Sequence, residues 1–180
     1  MSIDEVKIIE LPKFLDVRGN LSFAEQFTHI PFEIRRVYWL YDVPGGITRG
    51  GHAEKNNEEL IIALSGAFEI VVDDGKQSKS FVLNRSYYGL YIPKGLWREI
   101  KEFSTNALAL EFGSIPYSPD DYIRNYEEFK YFSQTKRQDQ IISPLLTRDN
   151  LNGCFSVFDC TIVELDRHHS ERKGTLTVVE

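Results

Sequence analysis

Short runs of β-branched and aromatic residues recur along residues 6–112, and turn-forming residues separate them. One such turn is Asp73-Asp74-Gly75, where glycine accepts the positive φ that a tight hairpin turn requires. Many short strands at this spacing are typical of an antiparallel sandwich or barrel. The predicted strands are Val6–Leu11, Leu21–Phe27, Arg36–Tyr41, Leu60–Leu64, Phe68–Val72, Ser80–Leu83, Gly89–Ile92, Trp97–Ile100 and Ala107–Phe112.

The pattern changes at Ser118. A Ser-Pro-Asp sequence and acidic residues open the segment 118–132, and aromatic residues then follow at helical spacing. This arrangement predicts one short amphipathic helix that covers the barrel. Residues 133–159 are interpreted as a linker.

The last segment, 160–180, repeats the start of the chain. Thr161–Leu165 resembles Lys7–Leu11, and Lys173–Glu180 resembles Arg18–Glu25, with one inserted residue between the two blocks. The hypothesis is that the tail carries the first two strands of a second barrel module. The alternative is that two amphipathic hairpins resemble each other by chance.

Composition and charge narrow the functional classes. The 180 residues suit one domain, and a net charge of −6 argues against a dedicated nucleic-acid binder. The N-terminus has acidic residues and no long apolar run, which predicts no signal peptide and no membrane anchor. Cys154 and Cys160 lack metal-type spacing, so we expect reduced thiols and a cytoplasmic location.

The central segment contains two motifs with characteristic spacing. The first places Gly46, His52, Glu54, Glu59 and Gly66 in register with a motif that gathers metal ligands. The second runs through Gly89, Pro93, Gly95 and Arg98. Both motifs resemble those of the cupin fold. The fold class predicted for residues 1–132 is therefore all-β, a cupin-type double-stranded β-helix or jelly-roll barrel with one short C-terminal helix.

Two departures from the motif change the expected chemistry. Arg98 stands where a ligand histidine is usual, and an arginine that never deprotonates would repel a divalent cation. We therefore expect no metal and no cofactor, although two carboxylates with His52 leave a facial triad open. A histidine facing a fixed cation suits proton abstraction beside a carbonyl. The plainer alternative is that His52 is only a buried structural histidine.

Several strings of the sequence resemble one known family, the dTDP-4-keto-6-deoxyglucose 3,4-ketoisomerases, or WxcM-like sugar cupins. The resemblance covers residues 4–132 and rests on Arg18-Gly19, Ile30–Tyr38, Arg49–Ala53, Val72–Gly75, Trp97–Glu99 and Asp121–Tyr126. It implies a dTDP-linked 4-keto-6-deoxy sugar as substrate, with the keto group moved from C4 to C3 for surface polysaccharide synthesis. It also implies a metal-independent homodimer that exchanges N-terminal strands.

The resemblance also implies roles for individual residues. His52 would carry the proton between C3 and C4, and Tyr38 would hydrogen-bond the reacting sugar. Arg98 and Glu54 complete the predicted catalytic set. The predicted substrate-binding residues are Arg18, Arg49, Glu59, Tyr91 and Trp97. Arg49 would bind the diphosphate, and Tyr91 would face the cavity that holds the sugar.

One position departs from the family. A second histidine is usual where this chain has Glu54. Glu54 could act as a base, orient His52 by a hydrogen bond, or mark a site adapted to another use. The alternatives to ketoisomerisation are therefore epimerisation of the same substrate class and binding of a sugar nucleotide without catalysis.

Overall fold

The computed structural model describes residues 2–138, 167–170 and 174–179 of the chain, and strands dominate them. The strands are β1 Lys7–Glu10, β2 Lys13–Phe14, β3 Leu21–Ser22, β4 Arg36–Tyr41, β5 Arg49–Glu54, β6 Glu59–Ser65, β7 Phe68–Asp73, β8 Ser78–Leu83, β9 Tyr88–Ile92, β10 Trp97–Lys101, β11 Leu108–Gly113, β12 Tyr122–Ile123, β13 Arg167–Ser170 and β14 Gly174–Val179.

The strands form two large sheets and one small one. The first sheet has the order β1-β9-β6-β11-β4-β14-β13, and the second has the order β12-β5-β10-β7-β8. Among the described strands, β2 and β3 pair only with each other. The paired strands run antiparallel, for example β11 with β4 and β10 with β7. This architecture confirms the predicted all-β barrel of cupin type.

Buried and partly exposed side chains alternate along the strands, and the buried ones form the core. In β7 the side chains of Phe68, Ile70 and Val72 are at most 1% exposed, and the residues between them are partly exposed. They pack against inward residues of the first sheet such as Ile61 and Leu90. Because each fully buried side chain of this size stabilises the fold by about 1.5–3 kcal/mol, this apolar half of the interior holds the two sheets together.

A β-bulge interrupts the pairing of β5 with β10. His52 lies opposite Arg98, but Gly50 lies opposite Glu99, so Gly51 is an extra residue in β5. Both glycines have positive φ, +77° and +67°. The bulge shifts the alternation by one residue and therefore places Arg49 on the same face as His52.

The helix α1, Tyr126–Gln138, confirms the predicted covering helix but begins later than expected. Asn125 caps it, since its Oδ1 accepts hydrogen bonds from the backbone N–H groups of Glu127 and Glu128. The predicted cap at Ser118 instead precedes a 3-10 turn, and Tyr122 belongs to β12. The first six residues of the predicted linker are helical.

The tail forms a hairpin on the edge of the first sheet. Strand β14 pairs with β4, with Leu176 opposite Leu40 and Val178 opposite Tyr38. Residues 160–166, which carry part of the predicted repeat, lie outside the described residues, as do Cys154 and Cys160. The assignment of 160–180 to a second module stays a prediction.

Within the described part of the chain, no helix is long and apolar enough to cross a membrane.

The bulge generates a test of the fold. A Cβ at Gly50 would lie 2.8 Å from the backbone oxygen of Arg98, whereas a Cβ at Gly51 meets nothing within 4 Å. Gly51→Ala should cost about 1–2 kcal/mol of unfolding free energy for its positive φ alone. Gly50→Ala should cost about 1–3 kcal/mol more, because the close contact forces the strands to shift. Urea unfolding measures both, and equal losses would contradict the predicted role of the contact.

Candidate active site

The polar half of the barrel interior gathers residues from four strands. Tyr38 comes from β4, His52 and Glu54 from β5, Glu59 from β6 and Arg98 from β10. The structure thus brings together the four predicted catalytic residues and one of the predicted substrate-binding residues.

Arg98 lies at the centre of this cluster. Its Nη2 is 2.6 Å from Oε1 of Glu59 and 3.2 Å from Oε2 of Glu54. The same nitrogen is 3.5 Å from the hydroxyl oxygen of Tyr38, and that hydroxyl donates a short hydrogen bond to Glu59. Arg98 is 3% exposed, so these contacts form away from bulk water.

Arg36 is a second cation that the sequence reasoning did not assign to the site. Its Nη2 lies 3.1 Å from Oε1 of Glu54, and its Nη1 donates to the hydroxyl of Tyr122 at 3.0 Å. Arg36 lies two residues before Tyr38 on a predicted strand, so alternation already placed both on one face. Only burial, which the sequence does not show, distinguishes this arginine from a surface one.

Asn57 and Glu111 also lie at the site, although the sequence did not indicate them. Asn57 donates from Nδ2 to Oε2 of Glu54 at 2.8 Å, and its Oδ1 accepts from the backbone N–H of Ser114 at 2.8 Å. Glu111 lies opposite Tyr38 in the β4–β11 ladder and is 2% exposed. Neither residue falls in a motif, although Glu111 shares the alternation of a predicted strand.

The cluster therefore holds two guanidinium groups and three carboxyl groups. Burial would raise the pKa of Glu54, but Arg98, Arg36 and hydrogen bonding hold it below its ordinary value. Burial raises the pKa of Glu59 well above its ordinary value, and the charge of Glu54 adds to this effect against the pull of Arg98. Burial likewise raises the pKa of Glu111. One proton held among these carboxyl groups balances the two cations.

Burial also raises the pKa of Tyr38, and the nearby Glu111 and Glu59 add to this effect. The phenol therefore stays protonated and acts as a hydrogen-bond donor.

His52 sits directly across the ladder from Arg98. Its ring contacts the ring of Tyr122 edge to face, with the centroids 4.8 Å apart. Both ring nitrogens are buried and have no hydrogen-bond partner among the described residues. Burial, followed by the charge of Arg98, lowers the pKa of His52 to about 3. The imidazole is therefore neutral at physiological pH.

Glu54 does not orient His52 through a hydrogen bond. Its two oxygens are bonded to Arg36, Arg98 and Asn57. The structure thus gives Glu54 a part in fixing the two arginines.

Arg49 lies at the partly exposed start of β5, on the face that the bulge turns toward His52. Burial lowers its pKa, although not to a range in which arginine loses its charge. Its position beside the cluster, and not inside it, is compatible with binding an anionic group of a ligand.

Three predicted substrate-binding residues lie outside the cluster. Trp97 and Tyr91 are neighbours of inward residues in their strands and so face the other way: Trp97 packs on Phe129 of α1, and Tyr91 donates its hydroxyl to Glu58 at 2.7 Å. Arg18 has an 87% exposed side chain and pairs with Asp16 at 2.9 Å. Side-chain alternation was sufficient to exclude Trp97 and Tyr91 from the cavity.

Among the residues that the structure describes, no group of three or more His, Cys, Asp or Glu side chains is arranged to hold a metal ion. The cluster instead offers a neutral imidazole, a fixed cation and a phenol donor on one concave face. These groups can accept a proton from carbon and stabilise negative charge on an adjacent oxygen.

The low pKa of His52 has a consequence for stability. The unfolded chain, with an ordinary histidine pKa of 6.5, binds a proton that the folded chain with a pKa of about 3 does not bind. Folding stability should therefore fall as the pH drops from 6.5 toward 3, with His52 contributing up to about 1.4 kcal/mol per pH unit. His52→Asn should unfold with a shallower pH dependence across this window in urea titrations. Parallel curves for the two proteins would contradict the assignment.

A family model and a named relative both match this chain. The family model described as FdtA: WxcM-like, C-terminal matches residues 4–134. A TDP-4-oxo-6-deoxy-alpha-D-glucose-3,4-oxoisomerase from Aneurinibacillus thermoaerophilus is 36% identical over 128 residues, which make up 71% of this chain and 92% of that protein.

Two solved structures of 3,4-ketoisomerases are also similar to this chain. A 3,4-ketoisomerase from Helicobacter canadensis is 41% identical with a TM-score of 0.70, and the match covers 72% of this chain and 98% of that one. A sugar 3,4-ketoisomerase from Thermoanaerobacterium thermosaccharolyticum, solved in complex with TDP, is 32% identical with a TM-score of 0.73, covering 75% of this chain and 98% of that one. The resemblance inferred from the sequence is confirmed, and the chain belongs to the FdtA, WxcM-like family.

Proposed function

We propose that the protein isomerises a TDP-linked 4-keto-6-deoxyhexose to the 3-keto sugar, with His52 carrying the proton. The observation that supports this most directly is the pairing of a neutral, unbonded imidazole with the buried cation of Arg98 across one strand ladder. The relatives named above carry the corresponding activity, and one of them was solved with TDP.

In the first step, His52 takes the proton from C3 of the sugar. The electrons of that C–H bond form a C3–C4 double bond, and the C4 carbonyl oxygen becomes an enolate oxygen. Arg98 and the hydroxyl of Tyr38 stabilise the charge on this oxygen, since both are held in place before the substrate arrives. The buried setting strengthens both interactions.

In the second step, the protonated His52 returns its proton to C4. The O3 hydroxyl loses its proton as the C3 carbonyl forms, and O4 gains one, so the reaction leaves atoms and electrons balanced. A low histidine pKa makes the imidazolium a strong acid, which favours this return. The same property makes the first step harder, and stabilisation by Arg98 offsets that cost.

The hydrogen bond between Tyr38 and Glu59 provides a path for the oxygen-bound protons. Glu59 has a raised pKa and contacts both Tyr38 and Arg98, so it can exchange a proton at the oxygen side of the sugar.

Glu54 acts as a positioning residue in this proposal. Its carboxylate bridges Arg36 and Arg98, and this bridge supplies a fixed negative charge where the family resemblance implied a second histidine. The role assigned is to hold Arg98 against the enolate oxygen and not to touch carbon.

The remaining predictions on ligand and assembly belong to the same proposal. Arg49 at the rim of the cluster would bind the diphosphate of the TDP group. The reaction needs no metal or organic cofactor, and a cytoplasmic location stays a prediction. A homodimer with exchanged N-terminal strands is part of the same proposal, and within the single chain β1 pairs with β9.

The first prediction of this proposal concerns His52. His52→Asn should abolish turnover of a TDP-4-keto-6-deoxyhexose, because no other neutral base faces Arg98 within the described residues. In deuterated solvent the wild type should place deuterium on the ring carbon, as followed by NMR. His29→Asn, which changes a histidine outside the cluster, serves as the matched control.

Three outcomes would count against the proposal. Unchanged turnover in His52→Asn would remove the proton carrier. A product that keeps its keto group at C4 would indicate an epimerase. Tight TDP-sugar binding without any product would indicate a binding module.

The second prediction concerns Glu54. Glu54→Gln leaves two buried arginines short of a charged partner and should lower unfolding stability by about 3–5 kcal/mol. Below its melting temperature it should keep solvent exchange at the ring carbon but lose roughly 10- to 100-fold in kcat, because Arg98 is less firmly held. Complete loss of exchange, equal to that of His52→Asn, would instead make Glu54 a base.

A further inference from the structure

Glu111 lies inside the barrel next to Tyr38. The two residues are directly opposite each other in the β4–β11 ladder, so their side chains share the inner face of the sheet. Both are buried, with Glu111 2% and Tyr38 7% exposed. A side-chain hydrogen bond joins the Glu111 carboxyl group to the Tyr38 hydroxyl. Glu111 therefore reaches the reacting sugar through Tyr38.

Tyr38 contacts a carboxyl group on each of two other strands. The sheet order β6-β11-β4 places β11 between Tyr38 and Glu59. Gly113, the next inward position of β11 after Glu111, lies opposite Glu59 and has no side chain. The Tyr38 side chain therefore crosses β11 beside Glu111, and its hydroxyl donates to Oε1 of Glu59. Glu111 and Glu59 thus share one hydroxyl group as a hydrogen-bond partner.

The phenol has one proton for these two partners. A tyrosine hydroxyl donates one hydrogen bond and can accept others. Since Tyr38 donates to Glu59, the hydrogen bond between Tyr38 and Glu111 requires a proton on Glu111. Burial raises the pKa of both carboxyl groups, but Arg98 lies 2.6 Å from the acceptor oxygen of Glu59 and favours its charged form. The proton shared by the cluster therefore resides on Glu111 in this state.

Each of the two carboxyl groups also has an unpaired oxygen. Oε1 of Glu111 and Oε2 of Glu59 are buried and have no hydrogen-bond partner among the described residues. An unpaired buried oxygen of this kind is costly and calls for a partner or a proton. Both groups thus retain an oxygen that can gain a proton while the other oxygen contacts Tyr38.

We propose that Glu111 is a positioning residue for the oxygen side of the reaction, and that Glu111, Tyr38 and Glu59 form a relay that moves a proton from O3 to O4 of the sugar. The inference rests on the proposed ketoisomerisation and assigns the source and the acceptor of its oxygen-bound protons.

The relay works in two stages. As the enolate forms, Tyr38 donates its proton to O4, and Glu111 donates its own proton to the Tyr38 oxygen. As the C3 carbonyl forms, the O3–H bond breaks and Glu59 takes that proton. Glu59 then returns a proton through Tyr38 to Glu111, which restores the starting state. The net change is one proton moved from O3 to O4, with no other reactant.

Glu111 matters because Tyr38 does not readily lose a proton without replacement. Burial and the charges of Glu111 and Glu59 raise the pKa of Tyr38 well above its ordinary value. A phenol that gave up its proton alone would become a buried phenolate, which these surroundings disfavour. A proton that arrives from Glu111 at the same time avoids this state. Loss of that proton should therefore slow keto transfer more than cleavage of the C3–H bond.

The test measures two rates on the full chain. With a TDP-4-keto-6-deoxyhexose in deuterated solvent, NMR follows deuterium at C3 of the substrate and formation of the 3-keto product. Glu111→Gln keeps the side-chain size and a donor for Tyr38 but removes the transferable proton. Product formation should fall roughly 100-fold, the size of a general-acid contribution, while exchange at C3 should change less than about threefold.

Two variants serve as controls. Glu111→Asp keeps a carboxyl group and should hold the ratio of product formation to C3 exchange closer to that of the wild type. Asp74→Asn changes a buried carboxyl group in the turn between β7 and β8, outside the cluster, and should leave both rates unchanged.

Infrared spectra of the ligand-free protein provide a readout without turnover. The wild type and Glu111→Asp should show a carboxylic-acid C=O band at neutral pH. Glu111→Gln should lack this band, because the carboxylates of Glu54 and Glu59 then balance the guanidinium groups of Arg36 and Arg98.

The other results separate the two proposals. A wild type that forms no 3-keto product overturns the proposed function and the relay with it. With an active wild type, equal losses of exchange and product formation in Glu111→Gln give Glu111 a purely structural role and overturn the relay alone. Unchanged product formation in Glu111→Gln, or a carboxylic-acid band that this variant retains, also overturns the relay alone.

Discussion

Arg98 and the carboxyl groups around it constrain the rest of the structure. A guanidinium that is 3% exposed requires compensation, and Glu59, Glu54 and Tyr38 provide it from three different strands. Each strand must therefore present its polar residue at the same depth. The ladder positions of β4, β5, β6 and β10 follow from this requirement as much as from apolar packing, because an unpaired buried charge is strongly destabilising.

This requirement divides the barrel interior into two parts. Residues such as Phe68 and Ile70 fill one part with close-packed apolar volume, while the ionic cluster occupies the other. The apolar part supplies the rigidity that keeps the charged groups from relaxing toward water. A cation that is held in place stabilises the negative charge developing on an oxygen better than a mobile cation does. The apolar packing in one part of the interior therefore supports the chemistry in the other part.

The sequence was most informative where spacing is fixed by the fold. The motif intervals predicted His52, Glu54, Glu59 and Arg98 as one group, and the strand ladder places them together. Arg36 and Glu111 were not predicted as site residues, because an isolated charged residue on a strand is expected to be solvent-exposed unless its burial is known. The family resemblance implied substrate-binding roles for Trp97 and Tyr91, although alternation with Arg98 and Leu90 turns them outward. The helix begins at Tyr126, after the cap Asn125, and not after Ser118, since pairing of β12 with β5 overrides the local helix signal.

The extra residue at Gly51 carries an implication for how such sites diversify. In a regular strand, a change in the side chains that contact a ligand requires a substitution. Here the bulge absorbs Gly51 as an extra residue, so straightening β5 with all of its residues kept would turn Arg49 away from His52 and bring Gly50 onto the inner face without any substitution. Formation or loss of the bulge would therefore act as a switch of binding specificity at the rim, while the proton-transfer residues beyond the bulge kept their positions.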